Sequence, residues 1–200
     1  MKKTINTLVI LTLMLGLMMP AAGLAENAYG AAAVKEGETY TLEQMLTYAI
    51  QDEYLAQADY QAFVKAFGAN TAFANFERAE TVHIARLTQL FEARGLPLPE
   101  NTAADMVQVP ATLQLAYQEE VGLEARNIAM YEQFLQQNDL PEDVKLAFTA
   151  LRNASQNHLA AAQRNVARGE GGQGWGRQDS PRRNDNTVKQ PGGRGPRRGK

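Results

Sequence analysis

The sequence predicts an all-α fold: a four-helix bundle made of two antiparallel hairpins joined by a long crossover. Three observations predict it. Between residues 41 and 168 the apolar residues recur at helical spacing, with no alternating strand pattern. Stop and start residues divide that stretch into four helices with two short links and one long one. The second pair of helices also repeats the first. Glu53, Tyr60 and Phe63 correspond to Glu124, Tyr131 and Phe134, while Phe73, Ala79, Glu80, His83 and Ile84 correspond to Phe148, Ala154, Ser155, His158 and Leu159.

The first helix is expected over about Leu42 to Phe67. Thr41-Leu42-Glu43-Gln44 reads as a capping box, and Gly68 follows the last apolar residue as a stop. The second runs from about Thr71 to Arg94 and ends at Gly95. Pro110 opens the third, which continues to about Gln137. Pro141, followed by Glu142 and Asp143 in the first turn, opens a fourth that ends near Arg168, before Gly169. The link from Gly95 to Val109 reaches roughly 50 Å when extended, enough to run the length of a 25-residue helix of roughly 38 Å.

On either side lie appendages. Lys2 and Lys3, the apolar run Leu8 to Met19 and the small residues Gly23-Leu24-Ala25 read as a secretory signal peptide over residues 1–25, followed by a linker over 26–40. Export would leave the protein secreted or periplasmic. Residues 169–200 hold nine of the sixteen glycines, with eight basic residues against three acids. Such a tail is expected to be disordered, because it cannot bury enough apolar surface to offset the entropy of ordering. Its charge, +5 against −9 for residues 26–168, suits an anionic envelope polymer. With Trp175 as its only aromatic residue, it lacks the pattern of a dedicated nucleic-acid binder. The chain has no cysteine, which excludes disulfides, thiolate zinc sites and cysteine nucleophiles. No Ser-His-Asp arrangement, phosphate loop or dinucleotide fingerprint is present.

At about 100° per residue, Glu53, Glu80, Glu124 and Ser155 fall in the middle of the four apolar stripes, with His83 and His158 beside the second and fourth. These are the only histidines. Taken singly, each fits a hydrogen-bonded core residue as readily as a metal ligand. Matched positions beside glutamates that should be buried favour the metal, because a divalent ion offsets the several kcal/mol that each buried carboxylate costs. Tyr60 and Tyr131 fit either plain core aromatics or donors to the carboxylates. Glu120 and Asn127 share the inward face of the third helix, as supports or substitute ligands, whereas Asp52, Glu77 and Glu119 are expected in solvent. Gly122 implies either close packing or a local bulge.

Two hairpins with one long crossover, carrying Asp52-Glu53-Tyr54, Ala79-Glu80-x-x-His83-Ile84, Asn127-Ile128-Ala129-Met130-Tyr131 and Ala154-Ser155-x-Asn157-His158-Leu159, resemble the ferritin-like superfamily. Within it the chain resembles the rubrerythrin-type di-iron proteins, and most of all a bacterial family of ferritin-like domains of unknown function. The resemblance covers roughly residues 41–168. It implies Glu53, Glu80, His83, Glu124 and His158 as metal ligands, and a di-iron oxidoreductase of ferroxidase or peroxidase type where the site is catalytic. Ser155 departs from the pattern, which has glutamate there, so that position falls to water, to Glu120, or stays open. Three carboxylates and two imidazoles suit iron, one ion or two, and also manganese or zinc. Without cysteines any electron donor must be external, and the sequence is compatible with an oligomer. The rival is a non-enzymatic metal-binding or structural envelope protein whose basic tail contacts an anionic surface.

Overall fold

The computed structural model describes residues 29–171, so the expected signal peptide and residues 172–200 of the expected tail lie outside the described residues. Helix α1 is Leu42–Phe67. Its capping box forms as the sequence dictates: the Gln44 N–H donates to Thr41 Oγ1 at 3.2 Å, and the Thr41 N–H donates to Gln44 Oε1 at 2.9 Å. Gly68 ends the helix at φ +99°, a conformation that side chains rarely adopt.

Helix α2 is Phe73–Glu92. It starts two residues later than the sequence indicates, because the Thr71 hydroxyl turns back to the Gly68 carbonyl instead of capping. At its far end the Leu96 N–H bonds to Phe91 O and the Gly95 N–H to Glu92 O, with Gly95 at φ +63°. This Schellman closure is the stop read from Gly95.

Helix α3 is Leu113–Leu135 and α4 is Glu142–Gly171. The α3 cap is Thr112, whose Oγ1 accepts from the Leu115 N–H, so Pro110 lies in the approach rather than in the first turn. Gly169 does not stop α4. Its missing Cβ leaves room for the Gln114 side chain, which donates to Val166 O at 2.9 Å. Gly122 has no crowded neighbour and α3 runs through it unbroken, so neither close packing nor a bulge explains it.

Short links at residues 68–72 and 136–141 fold each pair back as a hairpin. Side-chain bonds set the hairpins against each other. Tyr40 N–H donates to Gln137, Tyr131 to Glu53, and Tyr60 to Glu124, so α1 and α3 run antiparallel. Arg94 pairs with Asp143 at one end of α2 and α4, and Glu80 meets His158 farther along, so they too are antiparallel. The crossover over residues 93–112 therefore traverses the bundle, pinned to α1 by a short 3-10 turn at Ala103–Asp105. These four packed helices, with no strand among the described residues, form a four-helix bundle.

Apolar packing divides into two blocks. Leu46, Ile50, Leu87, Phe91, Phe134 and Phe148 fill the end nearest the α1 N-terminus. Tyr60, Phe63, Phe73, Phe76 and Tyr117 fill the other, with Phe73 stacked on Tyr117 at 4.6 Å. Between the blocks lies a layer of buried polar groups. No helix among the described residues is long and apolar enough to cross a membrane.

Candidate metal centre

Each helix contributes to the polar layer: Glu53 and Tyr60 from α1, Glu80 and His83 from α2, Glu120, Glu124, Asn127 and Tyr131 from α3, Ser155 and His158 from α4. All are buried except His83, which is partly buried. Helical geometry explains the assembly. Glu80 and His83 are three residues apart and share one face, as do Glu120, Glu124, Asn127 and Tyr131 at steps of three and four.

In the first half, His83 Nδ1 lies 2.7 Å from Glu80 Oε2 and 3.1 Å from Glu53 Oε2. One ligand atom from each of Glu53, Glu80 and His83 falls within 4.8 Å of the others, a group that could hold a metal ion. In the second half, His158 Nδ1 lies 2.9 Å from Glu124 Oε1 and 3.4 Å from Glu80 Oε1. Glu80 thus faces both histidines, whose ring centroids are 6.3 Å apart. Ser155 is buried in the same layer but brings a hydroxyl where its repeat-mate Glu80 brings a carboxylate.

The tyrosines cross between hairpins. The Tyr131 hydroxyl donates to Glu53 Oε1 at 2.7 Å, and the Tyr60 hydroxyl donates to Glu124 Oε1 at 3.1 Å and to Glu120 Oε1. Both are pushed well above the usual phenol range, first by burial and then by the carboxylates around them, so they stay protonated as donors. Glu120 is 0% exposed, and its Oε2 has no hydrogen-bond partner among the described residues. The same holds for Glu124 Oε2 and Asn127 Oδ1.

Burial, then the charges of its carboxylate neighbours, drives Glu80 well above the usual carboxyl range. The same two causes, with Glu124 the leading charge, raise Glu120. For Glu53 burial also pushes upward, but hydrogen bonds from Glu80 and His83, with that from Tyr131, outweigh it and hold the carboxyl at about 2. The layer therefore holds Glu80 and Glu120 protonated and Glu53 ionised, with two imidazoles among them. This donor set fits a metal: buried oxygens lack partners, and the carboxylates crowd one another.

Beside this layer a cleft of about 70 Å³ opens between α1 and α3 and reaches Tyr60, Glu120 and Asn127. A 3-10 turn at Gly30–Ala33 covers it. Ala31 N–H donates to Asp52 Oδ1 at 2.9 Å, and Gly30 sits at φ +60° so close to α1 that a Cβ would lie 2.7 Å from the same oxygen. Asp52, expected in solvent, is therefore partly buried as an anchor for this turn, with its carboxyl raised to about 7 by burial. Asp59, also in the cleft, is raised to about 7 by burial and then by Glu119. Nothing in the local sequence flags either residue, because the turn that covers Asp52 comes from more than twenty positions away.

Fold and site together define a four-helix bundle with a carboxylate–histidine cluster at its centre. No family model matches the chain, and no curated protein matches it. Among solved structures it is similar to the hypothetical protein MJ0754 from Methanococcus jannaschii DSM 2661, at a TM-score of 0.59 and 20% identity, over 68% of this chain and 86% of that one. At that identity the likeness shows the fold alone.

Proposed function

We propose that the protein is a ferritin-like metal-binding protein whose centre takes iron at Glu53, Glu80 and His83, extended by Glu124 and His158. The observation that carries this reading is the closed group of Glu53, Glu80 and His83 inside the bundle, two of its members 2% exposed, with ligand atoms within 4.8 Å of one another. Burying such groups without an ion costs several kcal/mol each, which a divalent cation offsets. Iron bound there would supply redox chemistry toward oxygen or peroxide, including its own oxidation.

The chain's own residues prepare that centre. Tyr131 and Tyr60 orient Glu53 and Glu124 by hydrogen bonds, and Phe76, 4.3 Å from the His158 ring, walls it from water. Glu80 holds a proton that a cation would displace, so binding should release protons and strengthen as pH rises. The apparent leader supports export, and the absence of cysteine makes any electron donor a separate molecule. The basic tail remains a contact for an anionic envelope polymer.

Metal analysis of the purified protein after anaerobic loading with Fe(II) tests the reading. The parent should retain iron through gel filtration, and the double variant His83→Ala, His158→Ala should not. Equal iron in both, or none in the parent, discards the proposal. The non-enzymatic alternative draws on Ser155, which removes a carboxylate from one half. Loaded protein that binds iron but leaves peroxide untouched would favour it.

A further inference from the structure

We propose that Glu120 supplies the fourth carboxylate of the centre, in place of the one that Ser155 lacks, and completes a second cation position with Glu124 and His158. This rests on the metal-binding reading above. Superposing the halves by their repeat pairs Glu53 with Glu124 and Tyr60 with Tyr131, an offset that places Glu120 opposite Ala49. The other helix pair sets Ser155 opposite Glu80. So α1 and α2 contribute Glu53 and Glu80, while α3 contributes both Glu120 and Glu124 and α4 contributes no carboxylate to the layer. Both halves bring two carboxylates and one histidine.

Independent observations support the exchange. Glu120 is 0% exposed, deeper than any solvated helix glutamate, and Ala49, its counterpart, is fully buried as a small apolar residue. The Tyr60 hydroxyl binds Glu120 and Glu124 together, so their carboxyls stand side by side. Each keeps one buried oxygen, Oε2, with no partner among the described residues. Two adjacent buried carboxyls beside an imidazole offer donors of the right kind for a divalent cation, while among the described residues Glu53, Glu80 and His83 alone already stand as a closed group. A residue kept only for packing would not need a carboxyl at this depth.

Cobalt(II) titration of the full-length protein, followed by its visible absorbance and by metal analysis, tests the proposal. The parent should bind two ions per chain. Glu120→Gln keeps the volume and should fold, yet bind the second ion about 100-fold more weakly or not at all, at least the loss seen when supports of metal ligands are removed. Adding Ser155→Glu to Glu120→Gln should return the second ion. Two ions bound with parental affinity by Glu120→Gln, a single ion in the parent, or no recovery on adding Ser155→Glu would each overturn the inference while the triad reading stands. A parent that binds no cobalt would bring down the metal-centre reading itself.

Discussion

The two hairpins share one plan and differ in how tightly it closes. In the first, His83 is hydrogen-bonded within its own hairpin to both Glu80 and Glu53, and the three form a compact group. In the second, His158 finds Glu124 in its own hairpin but must reach Glu80 of the other at 3.4 Å, because Ser155 offers no carboxylate. The tyrosines, by contrast, are exchanged symmetrically: Tyr131 serves Glu53 and Tyr60 serves Glu124. The difference teaches that a helical repeat preserves the layer in which polar groups meet, while the donors within that layer can sit on any helix that faces it.

The largest test of the comparison is to remove each histidine separately. His83→Ala opens the closed group and should weaken cobalt binding by about 100-fold, whereas His158→Ala should cost about tenfold, within the span that perturbing a metal site produces. Titration followed by absorbance gives both numbers. Equal losses would show that the halves bind alike despite Ser155.

Next come the crossing tyrosines in the metal-free protein. Tyr60→Phe strips a donor from two buried carboxyls and should destabilise the fold by about 2–3 kcal/mol, while Tyr131→Phe, whose acceptor Glu53 keeps His83, should cost about 1–2 kcal/mol. Urea unfolding measures the difference. The reverse order would mean that Glu120 and Glu124 find other donors when Tyr60 is lost.

How much of this was legible in the sequence follows from range. The α1 limits were, because Thr41, Gln44 and Gly68 act within one turn of the ends they define. So was the meeting of Glu53, Glu80, His83, Glu124 and His158 in one layer, since helical period alone puts them on inward faces. The start of α3 and the end of α4 were not. Pro110 and Gly169 carry the right residue types, but Thr112 and the approach of Gln114 from another helix decide the outcome. Asp52, expected in solvent, and Asp59, which no sequence signal singles out, were not legible for the same reason, since what covers them is tertiary. Glu120 was legible as inward-facing, but its pairing with Glu124 through Tyr60 depends on how α1 lies against α3.

Asp59 gives a smaller contrast between the halves, because its repeat-mate on α3 is Met130, also buried but unable to ionise. The Asp59 carboxyl titrates at about 7 in the fold, against 3.8 for the ordinary group, since burial penalises its charge. Between those values the folded chain holds a proton that the unfolded chain has released, so the contribution of Asp59 to stability is full below about pH 4 and is lost as pH rises through 7. Asp59→Asn should remove the Asp59 share of that slope, leaving the share of Asp52, whose carboxyl is also raised to about 7. It should leave the protein about 2 kcal/mol more stable than the parent at pH 8. Urea midpoints at pH 4.5 and pH 8 check it. An unchanged slope would place the pH dependence elsewhere.

Gly122 should give the smallest effect, and it separates backbone from chemistry. It lies two residues before Glu124, and its counterpart in the first half is Gln51, whose side chain accepts the Gly30 N–H. A Cβ at Gly122 would meet only the Arg126 side chain, at an ordinary 3.6 Å. The glycine therefore loosens α3 without making room for a neighbour. Gly122→Ala should stabilise the fold by about 0.5–1 kcal/mol, by narrowing the unfolded ensemble and favouring the helix. Cobalt affinity measured on the same variant decides what the glycine is for. Unchanged affinity means that the second half owes its looser site to Ser155 alone, whereas tighter binding would show that a flexible α3 contributes to the asymmetry.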